Sequence, residues 1–191
     1  MKKIKLAVGI TGASGMIYAR RLLQKIQKPE IASQTAETGL VFSSNVREIW
    51  EAELGDFKPD EYAIKIYDSK SFYAPFASGS AAYDALVVIP CSMGTLGRIS
   101  AGISNDLITR AADVMLKEQK KLILVTREMP FSLIHLENMT RLARAGAQIF
   151  PASPHFYLNP KNFDELADTV VNRVLEAAGF SLDMERWTGD D

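Results

Sequence analysis

Several stretches of the chain carry residue types whose spacing could do chemistry. Gly9-Ile10-Thr11-Gly12-Ala13-Ser14-Gly15 follows an apolar run and opens a helical period. Its backbone amides and the helix dipole behind them could therefore hold an anion. The spacing is not G-x-G-x-x-G, because Thr11 stands at the second glycine position. No Asp or Glu closes the next strand to take a nicotinamide ribose; Ser43 stands there instead. No Gly-Lys-Ser/Thr follows, so it is not a Walker loop. Two readings remain, a phosphate cradle that is not for a dinucleotide and a plain strand-to-helix turn.

Pro90-Cys91-Ser92-Met93-Gly94-Thr95 offers a thiol, with His135 and Asn138 as candidate partners. A thiol needs a nearby base to become a thiolate, and a free cysteine after a central strand is more often a small buried filler. The hydroxyls of Ser92 and Thr95 are better placed to donate to a ligand. Arg110 and Lys117, seven apart, fall near one helical face, but Asp106, Asp113 and Glu118 lie close by, and on composition alone a solvated ion-pair helix is the better reading. Arg127-Glu128 directly follows a buried strand, where charge is costly unless partnered; functional and structural readings stand level. His135 and Glu137 are two apart and face different ways on a helix, which favours capping or packing over a metal pair. Tyr157 sits in an aromatic loop that is core or pocket wall, and Arg173 reads as a surface residue.

The elements that must position these residues alternate. Short β-branched runs at Ile4–Ile10, Thr38–Phe42, Ala63–Tyr67, Ala85–Ile89, Lys121–Val125 and Ala147–Phe150 are separated by helical periods. These run over Gly15–Gln27, Asn45–Leu54, Ser104–Lys117, Ser132–Ala145 and Phe163–Ala178. The alternation predicts an α/β fold: a single-domain, doubly wound, mostly parallel sheet with helices on both faces, Rossmann or flavodoxin-like. Leu86-Val87-Val88-Ile89 is apolar throughout, as a central strand buried on both sides requires. Ligands of such sheets bind beyond the C-terminal strand ends, and those ends carry Thr11–Gly15, Ser43-Ser44, Cys91–Thr95 and Thr126–Glu128. The domain is expected over residues 1–180, with a C-terminal extension over 181–191.

Composition narrows the classes. At 191 residues one domain is expected. The formal net charge of −1 argues against a nucleic-acid binder. One cysteine and two distant histidines exclude a disulfide framework and make a metal centre a poor reading. The longest apolar run, Ala85–Cys91, is far short of the roughly 20 residues that span a bilayer. The basic-then-apolar N-terminus reads as a first strand rather than a signal peptide, since Gly9, Thr11, Gly12 and Ser14 break it. A cytoplasmic protein is expected, which also suits an unpaired thiol.

Over nearly its whole length the chain resembles the UbiX-type flavin prenyltransferases, of the flavodoxin-like flavoprotein group. The motifs carrying the likeness are GITGASG, VFSSNV, APFASGS, PCSMGTLGRISAG, NDLITRAADVMLKE, TREMPFSLIHLENM, GAQIFPASPHFY and the terminal RW. The resemblance implies an enzyme that joins the dimethylallyl group of dimethylallyl phosphate to reduced FMN at N5 and C6. Its product, prenylated FMN, would supply a UbiD-type decarboxylase. By position, Gly12, Ala13, Ser14, Ser43, Ser92, Met93, Gly94, Thr95 and Arg127 match FMN contacts. Tyr157 and Arg173 match the residues that hold the prenyl phosphate, together with Arg110 and Lys117. Glu53 and Glu128 match acidic pocket residues, and Trp187 a C-terminal aromatic. The family forms dodecamers, so some of these groups would come from neighbouring subunits.

The implied chemistry agrees with the inventory. Breaking an allylic C–O bond needs charge on the leaving phosphate neutralised, which Lys117, Arg110, Arg173 and a protonated Glu128 could do. Tyr157 offers a π-face to an allyl cation. Glu53, Glu128 or the departing phosphate could take the ring proton, and nothing in the sequence chooses among them. No aspartate-rich prenyl-diphosphate motif is present, consistent with a metal-independent reaction. The chain departs from the family at Asn105-Asp106, often Asp-Asn there, and at Gly94, often a longer residue. The alternatives are an FMN-dependent cysteine decarboxylase and a flavin-binding accessory subunit of a decarboxylase. The first would bring a His in the first helix and a Pro-Ala-Ser-Ala-Asn segment, both lacking here. The second has no need for Lys117, Arg173 and Tyr157 together.

Overall fold

The structure is a computed structural model that describes residues 2–183. Among these residues six strands form one all-parallel sheet in the order β3-β2-β1-β4-β5-β6. The strands are β1 (Ile4–Ile10), β2 (Thr35–Phe42), β3 (Lys65–Tyr67), β4 (Ala85–Cys91), β5 (Lys121–Thr126) and β6 (Gln148–Pro151). The helices are α1 (Met16–Ile26), α2 (Pro29–Ala32), α3 (Val46–Leu54), α4 (Met93–Ser100), α5 (Leu107–Lys117), α6 (Leu133–Arg144) and α7 (Phe163–Ala178).

The period of two within each strand sorts side chains between two cores. Leu6, Val8 and Ile10 of β1 pack with α1, α3 and α7, whereas Ala7 faces the opposite cluster with α4, α5 and Leu142 of α6. All seven residues of β4 are buried, as the unbroken apolar run requires. Chain order reverses between β1 and β4, so their two exit turns diverge and leave a crevice. Polar caps end the helices: Asp106 and Thr109 form a capping box on α5, and Ser132 and His135 form one on α6. Capping therefore accounts for His135.

On the α1–α7 face Arg21 binds Asp168 in a two-pronged pair at 2.8 Å, Lys25 reaches the same carboxylate at 3.0 Å, and Arg20 pairs with Asp164 at 2.6 Å. Burial pushes the Asp168 carboxyl up, but the hydrogen bonds from Arg21 and Lys25 outweigh it and hold it below the usual carboxylate range.

The structure adds two helices to the five expected, the single turn α2 and the longer α4, which the sequence pattern hides. Residues 93–100 form α4 and the next helix begins at Leu107, where one helix was expected from Ser104. Gly94 and Gly97 depress helix propensity and break the apolar period, yet Ser92 caps the segment by accepting from the Thr95 amide at 3.3 Å. Among the described residues no helix is long and apolar enough to cross a membrane. Trp187 and the rest of the Arg186-Trp187 motif lie outside the described residues.

Candidate active site

Two turns meet at the β1/β4 crevice, and Thr11 joins them. Its hydroxyl donates to the Pro90 carbonyl at 2.8 Å and accepts from the Ser92 amide at 2.8 Å, fully buried. A glycine at this position would leave both groups without that partner, which is why the turn departs from the dinucleotide pattern. The Gly12 amide donates to Ser43 Oγ at 3.1 Å, drawing in the end of β2. A Cβ on Gly12 would stand 3.1 Å from that of Asn45, so the turn tolerates little bulk there.

From the β4 side, Ser92 Oγ lies 3.1 Å from Thr95 Oγ1, and Arg98 donates to the same Thr95 oxygen at 3.1 Å. Arg98 also pairs with Asp106 at 2.8 Å and donates to Asn105 at 3.2 Å, tying α4 to the start of α5. The result is a polar cleft of about 220 Å3 lined by Gly12, Ser43, Ser92, Thr95, Arg98 and Lys70 among others. Larger hollows exist, including one of about 760 Å3 beside Arg20 and Phe163. The smaller one holds the strand-exit hydroxyls and sits where a doubly wound sheet binds ligands.

Four of the expected flavin contacts, Gly12, Ser43, Ser92 and Thr95, thus converge on one cleft. Ala13 is buried, and Met93 turns its side chain into the core. A Cβ on Gly94 would meet nothing within 4 Å, so a longer residue would fit there without repacking.

Ser14, Arg127 and Glu53 gather on one peptide group. Arg127 Nε donates to the Ser14 carbonyl at 3.1 Å, and the adjoining Gly15 amide donates to Glu53 at 2.9 Å. The Met16 amide reaches the same carboxylate at 2.8 Å. Gly15 holds φ of 105°, a conformation that suits glycine alone. The carboxylate on the α1 N-terminus is the protein's own Glu53, which engages the amides of Gly15 and Met16. Glu128 accepts from the Met129 amide at 3.1 Å.

The cationic residues do not converge within one chain. Arg110 pairs with Asp113 at 2.8 Å and donates to the Ala77 carbonyl at 3.1 Å; Lys117 pairs with Glu118 at 2.6 Å. Lys117 ends α5, roughly 15 Å of helix rise from the cleft-lining Asp106. Tyr157 and Arg173 lie across the sheet. Arg173 pairs with Glu176 at 3.2 Å on the outer side of α7, one turn beyond Thr169, whose hydroxyl accepts from the His155 amide at 3.3 Å. α5 and α7 cover opposite faces of the sheet, which puts Arg110 and Lys117 on one and Arg173 on the other.

Cys91 is fully buried, and burial pushes its thiol up to about 12. It is a packing residue, and His135 is committed to its helix cap. Thr11 as a tie, Arg98 and Lys70 escaped the sequence reading. The Ser92-x-x-Thr95 cap spacing, continued three residues to Arg98, was the available signal.

Comparison with known proteins was made across the whole chain. Residues 1–175 match the Flavoprotein family. A flavin prenyltransferase UbiX of Methanocaldococcus jannaschii is 45% identical over 187 residues, covering 96% of this chain and 98% of the relative. The chain belongs to the UbiX-type flavoproteins. Its fold is similar to that of AnUbiX, solved in complex with FMN and dimethylallyl pyrophosphate, with a TM-score of 0.89, 38% identity and full coverage of both chains. It is equally similar to a dodecameric FMN-dependent UbiX-like decarboxylase from Escherichia coli, with a TM-score of 0.88 and 41% identity over 97% of this chain and all of the other.

Proposed function

We propose that this UbiX-type flavoprotein is a flavin prenyltransferase that joins the dimethylallyl group of dimethylallyl phosphate to reduced FMN, without a metal, and acts as a homo-oligomer of the dodecameric kind. The observation that carries it is the switch-point cleft, where Gly12, Ser43, Ser92 and Thr95 present hydroxyls and an amide together. Those donors fit the polar groups of FMN. The cleft's 220 Å3 is below the roughly 300–1,000 Å3 of complete ligand pockets, so one chain supplies part of the site.

Reduced FMN, when bound, supplies the electron-rich ring, with N5 and C6 as the bond-forming atoms. The chain's residues grip, orient and neutralise. The cleft hydroxyls hold the flavin, and Arg127, anchored on Ser14, fixes the turn beside it. Arg110 and Lys117 from one copy and Tyr157 and Arg173 from another would close on the donor phosphate, stabilising its departure by charge. Glu128 is the acid for the leaving phosphate oxygen. Glu53, Glu128 or the departing phosphate takes the ring proton. The product would pass to a UbiD-type decarboxylase.

The test is mass spectrometry of the flavin after anaerobic incubation of the protein with reduced FMN and dimethylallyl phosphate. A flavin heavier by one dimethylallyl unit is expected. FMN recovered bound and unchanged would reject the transferase and make cysteine-containing acids the next substrates.

A further inference from the structure

Lys70 lines the cleft between β1 and β4, yet it lies outside every motif that carries the resemblance to the family. The residue is exposed, and its ammonium makes no ion pair among the described residues. The other two charged groups of the lining, Arg98 and Asp106, neutralise each other at 2.8 Å. One positive charge is left over in the cleft, and it belongs to Lys70. The segment that presents it is pinned on both sides. Asp68 accepts from the Lys70 amide at 2.7 Å and, through its carbonyl, from the Ser71 amide at 3.0 Å. The Ser69 carbonyl accepts from the Leu107 amide at 2.8 Å, at the start of α5. A fixed backbone carrying an uncommitted point charge on a flexible stem suits an anion that arrives from outside. Much of the remaining lining is hydroxyl, from Ser43, Ser44, Ser69, Ser92 and Thr95. The positive end of the α4 dipole opens there too, at the Ser92 cap.

We infer that Lys70 binds the terminal phosphate of FMN, so that this chain selects the phosphorylated flavin over riboflavin. This rests on the reading of the cleft as the flavin site and deepens it by naming the end of the flavin that the cleft takes. A volume of about 220 Å3 lined by hydroxyls suits a ribityl phosphate better than a three-ring isoalloxazine. A hydrogen bond from an ammonium to a phosphate oxygen is charge-assisted and about twice as strong as a neutral one. At an exposed rim water screens part of it, which leaves an effect of roughly 10-fold in affinity. Riboflavin carries the same ring and ribityl chain without the phosphate, so its binding should not register Lys70.

The experiment titrates FMN and riboflavin separately into the full-length oligomer and follows flavin fluorescence, for the wild-type chain, Lys70→Met and Lys70→Arg. Wild-type protein should bind FMN more tightly than riboflavin. Lys70→Met, of similar length and shape, is expected to raise the FMN Kd roughly 10-fold and to leave the riboflavin Kd unchanged. Lys70→Arg keeps the charge and should retain most of the FMN affinity. Added salt should weaken FMN binding more in the wild-type chain than in Lys70→Met. An unaltered FMN Kd in Lys70→Met overturns the inference. So do equal losses for FMN and riboflavin, which would mark damage to the 68–71 turn, and equal wild-type affinities for the two flavins. Prenylated flavin formed by the wild-type protein, together with an unaltered FMN Kd in Lys70→Met, sinks the inference alone. No prenylated flavin, with the phosphate-specific loss intact, sinks the transferase reading and leaves Lys70 in its place.

Discussion

In the β1/β4 cleft, Thr11, Ser92, Thr95, Arg98 and Asp106 bind one another across three elements, and Thr11, Thr95 and Asp106 are buried. Arg110, Lys117 and Arg173 sit further out, and each has its ion pair with a carboxylate one to three residues away. Exposed pairs of this kind contribute about 0–1 kcal/mol to stability, so the fold does not explain them. They also sit in high dielectric, where their field on a phosphate is weak. The difference teaches that the cleft groups are fixed by one another within one chain, whereas the outer cations are held only by neighbours on their own helix. The outer surface also carries apolar groups: Leu133 and Ile134 on α6 are 69% and 68% exposed, and Met129 precedes them at 86%.

The largest effect should come from charging that apolar surface. Leu133→Glu combined with Ile134→Glu is expected to dissociate the oligomer, with flavin still bound but prenyl transfer reduced to background. Light scattering, flavin fluorescence and product mass would follow the three. Small particles with normal turnover would mean that the donor side is complete in one chain.

A smaller effect should come from the cleft itself. Thr11→Val keeps the shape but removes the hydroxyl that joins the two turns. About 1–3 kcal/mol of stability should be lost, with FMN binding weakened roughly 10-fold. The donor KM at saturating FMN should stay unchanged. Denaturant unfolding and flavin titration read the two, and a raised donor KM would blur the separation of the two sides.

The smallest effect concerns acid. The Asp168 carboxyl titrates below its unfolded value near ~3.9, so its contribution is present above that value and is lost as pH falls through the lowered folded one. Stability should therefore drop below about pH 4 by about 1 kcal/mol from this group, loosening α7, which carries Arg173. Asp168→Asn should flatten that acid limb in pH-dependent thermal unfolding; an identical limb would remove the α1–α7 clasp from the account.

Much of this architecture was legible in the chain. The short β-branched runs placed six strands, and the unbroken β4 run identified the centre of the sheet, because a strand covered on both faces admits no polar position. The small, hydroxyl-rich strand exits marked the cleft, since their positions follow from strand order alone. Helix α4 was hidden because its two glycines lower propensity while its cap and packing hold it. Glu53 was legible as an acidic group, but its partner lies 38 residues away in sequence, at a helix start it reaches only when α3 packs beside α1.

Sequence by itself determined which segments become strands and helices, because side-chain periodicity and capping act within a few residues. It also determined the chemistry on offer: hydroxyls at the strand ends, cations on α5 and α7, one thiol. Only the tertiary structure decided which groups meet. The order of strands set Thr11 against Pro90 and Ser92, gave the α1 amides to Glu53, and put Arg110 and Arg173 on opposite faces of one sheet. Contacts between residues tens of positions apart depend on how layers pack, and no local pattern records that.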